Sequence, residues 1–227
     1  MAIFKWGWMD ELTNLAKIHK NSLVQEIFID KCYEQVREVK TDDVVLDIGA
    51  SIGPFTYSIL NKDPKQVICV EPSHLEHETL KENVYQDNVT IIEKGIGPVD
   101  GTITISEVFG ANGQNIEIPS IRFDTLIKEN NIDRINFLKT DCEGGEYDIF
   151  NVDNLFWIKN NVDFVVGEWH LNTPETKEKF RQFRDLYLKL FPNHEIYAID
   201  GTDIKWNLWN ERFLEYYSEV IVHININ

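Results

Sequence analysis

The sequence predicts an α/β fold, a seven-stranded and mostly parallel sheet with helices on both faces and an antiparallel last strand. Short apolar runs alternate with segments of helical periodicity, the order that builds a parallel sheet. The last two runs have no helical pattern between them and are expected to pair antiparallel. Acids stand at or just past the ends of five runs, where ligands gather in such sheets.

The elements follow in order. Residues 1–20 read as an amphipathic helix. Asp10 and Glu11 interrupt its apolar character, so it is neither a signal peptide nor a membrane span. It is expected to pack on the domain or on a second copy, which would make a homo-oligomer. Membrane contact through Phe4, Trp6 and Trp8 is the less favoured reading. Val44–Ile48 is a buried strand, and Pro54 opens a helix through Leu60 where its missing N–H costs nothing. Gln66–Glu71 is the second strand. Ser73–Glu76 has the spacing of a capping box and starts a helix to about Tyr85. Asn88–Glu93 is the third strand. Two β-rich runs around "FGANGQ" (Phe109–Gln114) read as a hairpin. A helix near Asp124–Asn130 leads to the strand Arg134–Lys139, and a further helix covers about Glu146–Ile158. Val162–Glu168 is the fifth strand. Thr173 and Pro174 start a helix bearing Phe180, Phe183, Leu186, Tyr187 and Leu190 at helical spacing. Glu195–Ile199 and Glu219–Ile226 complete the sheet. With 227 residues, 43% of them hydrophobic, the chain can bury one substantial core. Residues 1–40 are expected to be a helical extension and 41–227 the main domain.

Charge narrows the partners. A net charge of −16 without a lysine or arginine cluster repels phosphate backbones, so nucleic acid is not expected. Cys32, Cys69 and Cys142 lie far apart, with neither zinc spacing nor a disulfide framework. A reducing cytoplasm suits them.

The acids Asp47, Glu71, Glu93, Asp141 and Glu168 are predicted to face one crevice. The first strand–helix turn reads "DIGASIG", Asp47 to Gly53, and Glu71 ends the next strand, where an acid meets ribose hydroxyls. The turn lacks the middle glycine of G-x-G-x-x-G, which lets backbone approach a pyrophosphate. Asp47 would repel phosphates and attract an ammonium or sulfonium group. S-adenosylmethionine, with a ribose and no phosphate, fits better than a nicotinamide dinucleotide. Asp47, Gly49, Ser51, Gly53, Glu71 and Asp141 are its expected contacts. The plainer readings are a tight turn for the glycines and a helix N-terminal charge for Glu71.

Four stretches carry a family resemblance. "VVLDIGASIGPFT", "VEPSHLEHETLKENV", "IRFDTL" and the run Lys139, Asp141, Glu143, Gly144 and Glu146 resemble the successive signatures of FkbM-type S-adenosylmethionine-dependent methyltransferases. All occur in order between Val44 and Glu146. The resemblance implies a Rossmann-like class I methyltransferase domain and transfer to a hydroxyl oxygen on a sugar, glycan or small natural product. It covers little before Ile27 or after His170. The rivals are a nicotinamide-dependent oxidoreductase and a non-catalytic binding domain on the same fold.

Roles can be assigned around "NFLKTDCEGGEYDIF". Methyl transfer to oxygen needs positioning and removal of a proton. Asp141 is expected to meet the cofactor's amino group or the acceptor hydroxyl. Lys139 would hold a nearby carboxylate ionised, and Glu143 would line the acceptor pocket. Glu146 reads equally well as a helix N-terminal charge. His170 is the candidate base, on the same side as Glu168 if the strand continues. The expected catalytic set is therefore His170, Asp141, Glu143 and Lys139. Glu168, Trp206 and Trp209 are expected at the substrate, with Trp169 in the core. Mg²⁺ at Asp141, Glu143, Glu168 and His170 is an alternative. No tight ligand motif is present, so no metal is assigned.

Overall fold

The computed structural model describes residues 3–10, 14–106 and 115–227. Ten strands appear in chain order: β1 (Val44–Ile48), β2 (Gln66–Val70), β3 (Val89–Ile92), β4 (Gly95–Ile96), β5 (Gly101–Ser106), β6 (Asn115–Ile121), β7 (Ile135–Thr140), β8 (Val162–His170), β9 (His194–Tyr197) and β10 (Glu219–Asn225). The α-helices are α1 (Asn14–Leu23), α2 (Pro54–Ile59), α3 (His74–Asn83), α4 (Phe123–Glu129), α5 (Glu146–Ile149), α6 (Val152–Asn161), α7 (Pro174–Gln182) and α8 (Phe213–Tyr216).

Seven strands form one sheet in the order β3-β2-β1-β7-β8-β10-β9. β10 runs antiparallel to both its neighbours, and the other pairs are parallel. The hairpin strands β5 and β6 stay outside that sheet and join β4 in a small one. The expected loop Phe109–Gln114 lies outside the described residues.

Register explains the crevice. Ile48 pairs with Val70 and with Thr140, Val70 with Ile92, and Thr140 with Gly167. Gly49, Glu71, Glu93, Asp141 and Glu168 follow these residues, so all emerge along one carboxyl edge. Side chains alternate faces along a strand. Asp47, Lys139, Asp141, Glu168 and His170 therefore share a face with Val45, Phe137, Phe164 and Val166. That face buries one apolar core, and α4, α6 and α7 cover the core on the other.

Described parts of the N-terminal segment pack on the main domain. Ile27, Cys32, Tyr33 and Val39 pack in the same core as Phe55, Phe137 and Phe164. Asn83 Oδ1 accepts from the backbone N–H of Lys5, and its Nδ2 donates to the Lys5 carbonyl, each at 2.7 Å. Phe4 packs edge-on against Trp6, Phe28 and Tyr57, so these aromatics are engaged within the protein. Among the described residues no helix is long and apolar enough to cross a membrane.

Two local expectations need correction. Ser73 caps nothing with its hydroxyl; its backbone N–H instead meets Glu71 Oε1 at 2.7 Å. The single helix expected over Glu146–Ile158 is broken, because Asn151 Oδ1 accepts from the N–H groups of Asp153 and Asn154 and starts α6 afresh.

A buried histidine makes stability depend on pH. His223 is buried against Phe164 and Tyr197, and neither ring nitrogen has a well-formed hydrogen bond. Burial pushes its pKa down to about 4, the backbone near Cys32 offsetting little of that. The unfolded chain then binds the proton more readily, so stability from this site is complete above about pH 6.5 and declines as pH falls toward 4. Denaturant titrations at pH 7.5 and 5 should show this loss, up to about 3 kcal/mol by pH 4. His223→Leu should remove that share of the slope; an unchanged pH dependence in the variant would show that His223 does not contribute it.

Candidate functional site

The first turn approaches the end of β7 so closely that only glycine fits. Gly49 has φ +75°, and a Cβ there would lie 1.7 Å from the Asp141 carbonyl oxygen. At Gly53, φ +85° ahead of α2, a Cβ would lie 2.7 Å from Val84 Cγ1 and 2.9 Å from Leu80 Cδ1. Beneath the turn lies a buried ion pair. Lys139 Nζ donates to the Gly49 carbonyl at 2.7 Å and stands 3.1 Å from Asp47 Oδ1 and 3.9 Å from Asp141 Oδ2. Asp47 Oδ2 accepts from the Thr56 hydroxyl at 2.7 Å.

This geometry changes two expected roles. Asp47 is fully buried, and its oxygens face Lys139 and Thr56 rather than the open edge of the sheet. Burial raises its pKa, and the Lys139 charge opposes that shift. Lys139 is equally enclosed. Burial works against its ammonium, but Asp47 and Asp141 outweigh burial and hold it charged well above the usual lysine range. Its contacts tie the β1 turn to β7.

Glu71 is held by two backbone N–H groups at the end of β2. Its Oε2 accepts from Ser51 N–H at 2.9 Å and its Oε1 from Ser73 N–H at 2.7 Å. A carboxylate has about four lone-pair sites, so two remain for hydroxyl donors. Ser51 thus contributes through its backbone, at φ +49°. The Glu71 carbonyl meets His77 Nε2 at 2.7 Å. Glu93 pairs with Lys81 and His77 and is held at the rim.

Across the crevice a second cluster forms. β8 runs on to His170, so Glu168 and His170 do point to one side. Asp141, Glu168 and His170 each offer a ligand atom, all within 4.8 Å of one another. Glu143, at φ +55°, brings Oε2 to 3.5 Å from His170 Nε2. Burial lowers the imidazole's proton affinity, but the Glu146 hydrogen bond and the charges of Glu146, Asp141 and Glu143 lift its pKa to about 10. These carboxylates favour the protonated ring, which counts against the expected role of His170 as base. Burial and the Asp141 charge push the Glu168 carboxyl well above the carboxylate range, His170 opposing them. Burial also lifts Glu143.

Sequence reasoning missed two residues. Tyr33 donates its hydroxyl to Asp141 Oδ2 at 2.9 Å, although 108 positions separate them. Glu146 is buried rather than a surface charge at a helix end. Its Oε1 accepts from Cys142 N–H at 2.9 Å and meets His170 Nδ1 at 3.2 Å. The glutamate was visible in its motif, but nothing in the sequence showed that it turns inward. Trp169 lies in the core, stacked on Phe183. Trp209 packs near the Arg184 and Lys189 cations beyond α7, and Trp206 is exposed. The structure does not bring these two tryptophans to the acidic cluster.

Known proteins share both sequence and fold with this chain. The family model described as "Methyltransferase FkbM domain" matches residues 47–194. "Methyltransferase 1" of Beauveria bassiana is 26% identical over 188 residues, covering 67% of this chain and 74% of its own length. "Hexuronic acid methyltransferase AglP" of Haloferax volcanii is 26% identical over 145 residues, covering 60% and 59%. In structure, Aeropyrum pernix fibrillarin, solved with natively bound S-adenosyl-L-methionine, aligns with TM-score 0.50 and 11% identity over 96% of this chain and 76% of its own. That likeness shows a shared fold.

The buried ion pair can be tested directly. Lys139→Met strands the Asp47 charge and should cost about 3–5 kcal/mol in urea unfolding. Adding Asp47→Asn should recover part of the loss, giving a coupling energy well above the error of the cycle. Two additive single effects below about 1 kcal/mol would show that the pair does not hold the turn.

Proposed function

The chain belongs to the FkbM methyltransferase family, and from that premise we propose that it transfers the methyl group of S-adenosylmethionine to a hydroxyl oxygen of a sugar or similar polyol. One observation carries this reading. The strand ends line up along one edge of the sheet, with a carboxylate held by two N–H groups, Glu71, on one side and the cluster of Asp141, Glu168 and His170 on the other. Glu71 suits the ribose hydroxyls of the methyl donor. The methionine end then reaches Asp141, and the surrounding carboxylates favour its sulfonium charge.

In the transfer, the acceptor oxygen attacks the methyl carbon in line while the carbon–sulfur bond breaks. Its electrons return to sulfur and leave a neutral thioether. The hydroxyl proton goes to a carboxylate. Glu143 is suited to take it, because burial raises its proton affinity and its side chain is half-exposed. His170 orients that carboxylate from 3.5 Å rather than serving as the base. The hexuronic acid relative supports a sugar-type acceptor. The acidic surroundings here favour a neutral sugar hydroxyl over an acceptor that brings its own carboxylate.

Two measurements test the reading. S-adenosylhomocysteine should stabilise the protein by about 2.7 kcal/mol at a hundredfold excess over Kd. Glu71→Ala should weaken that binding about ten- to a hundredfold, the worth of charge-assisted hydrogen bonds. Equal stabilisation by NAD would redirect the cofactor assignment. With ¹³C-methyl S-adenosylmethionine and a panel of neutral glycosides, a methoxy carbon signal should appear in the product. Label arriving only on nitrogen or carbon acceptors would overturn transfer to oxygen.

A further inference from the structure

We infer that Tyr33 is a positioning residue for the methyl donor: its hydroxyl holds Asp141 so that one side of the carboxylate meets the donor's ammonium group. This role deepens the reading above and rests on its placing of the methionine end at Asp141. Tyr33 donates to Asp141 Oδ2 at 2.9 Å, and Lys139 Nζ stands 3.9 Å from the same oxygen. Both contacts fall on Oδ2, which leaves the lone pairs of Oδ1 for a ligand.

A buried tyrosine hydroxyl usually finds a partner, so the choice of partner is what matters. Asp141 is not a buried acceptor in need of a donor. Its side chain is 29% exposed at the carboxyl edge of the sheet, where water can solvate it. The Tyr33 bond therefore fixes the carboxylate more than it satisfies it. Lys139 does less to fix it, because its ammonium lies closer to Asp47, at 3.1 Å. Tyr33 also lies ahead of residues 47–194, so the stretch that marks the family does not include it.

The hydroxyl is delivered by a firmly held segment. The Tyr33 ring is buried and packs edge-on against Phe55, with Lys139 Nζ 5.3 Å from its centre. Glu34, the next residue, accepts from Val39 N–H at 2.7 Å and from Lys62 Nζ at 2.8 Å. Arg37 Nη2 meets both oxygens of Asp43 at 3.0 Å, and the guanidinium lies over the Phe137 ring. A group locked by packing and by further hydrogen bonds can set the geometry of the group it touches. Burial and the Asp141 charge push the Tyr33 phenol well above its usual pKa, so it stays a donor through the neutral range.

Two ligands separate positioning from packing. S-adenosylhomocysteine carries the ammonium-bearing tail, and 5′-methylthioadenosine has the same adenosyl group and sulfur without it. Both are titrated calorimetrically into the full-length protein. Tyr33→Phe keeps the ring and removes the hydroxyl. It should weaken S-adenosylhomocysteine by about three- to thirtyfold and leave 5′-methylthioadenosine as it was, with unchanged circular dichroism. Asp141→Asn should weaken S-adenosylhomocysteine at least as much, and adding Tyr33→Phe to it should cost no more than about twofold further. Weakening or loss of both ligands in Tyr33→Phe makes Tyr33 a packing residue and overturns the proposal. Unchanged S-adenosylhomocysteine affinity in that variant overturns it too, as do additive losses in the double variant. If Asp141→Asn binds S-adenosylhomocysteine like the native protein, the placing of the methionine end fails and takes the proposal with it. A native protein that binds neither ligand would instead overturn the S-adenosylmethionine reading itself.

Discussion

The contact of Lys139 with Asp47 and the Gly49 carbonyl is the constraint on which the crevice depends. The two side chains face each other across paired strands, Asp47 opposite Lys139 in register. A buried ammonium needs partners, and it takes the carbonyl of the turn as one of them. With that carbonyl drawn inward, the next part of the turn places Ser51 N–H against Glu71. The same ammonium lies 3.9 Å from Asp141, so it also biases the acceptor side. One interaction thus ties the cofactor half of the crevice to the half that meets the acceptor.

Charge organises the second half. Asp141, Glu143, Glu146 and Glu168 crowd round His170, and like charges at such distances disfavour each other strongly. The protein holds them there with hydrogen-bond donors from elsewhere, namely Tyr33 and the Cys142 N–H. The result is a place where positive charge is welcome. His170, whose proton affinity these carboxylates raise, supplies part of it.

Much of this was legible in the sequence because strand alternation is strict. Asp47, Lys139, Asp141, Glu168 and His170 occupy alternate positions of strands, and register carries their neighbours to one edge. What alternation cannot give is depth. It could not tell that Asp47 stops short of the crevice, since that depends on how closely the Gly49 turn covers it. It gave no sign that Tyr33 would travel across the fold to Asp141, because no local pattern encodes a partner 108 residues away. Ser73–Glu76 had the spacing of a cap, but Glu71 claimed the Ser73 N–H first. Trp206 and Trp209 looked like a sugar platform from composition alone, and the helix beyond β8 took Trp209 instead.

The two halves of the crevice are built from different material. The cofactor half is mostly backbone: a glycine turn, two N–H groups on Glu71, a carbonyl on Lys139. Such geometry is set by register and φ, and most side-chain changes nearby leave it in place. The acceptor half is made of side chains whose positions depend on Tyr33, from a segment ahead of β1, and on Glu146, at the start of α5. Replacing one of those alters charge and shape at the acceptor without disturbing the ribose contact. A fold divided in this way can keep one methyl donor and exchange acceptors, since function resides in the site and not in the sheet that carries it.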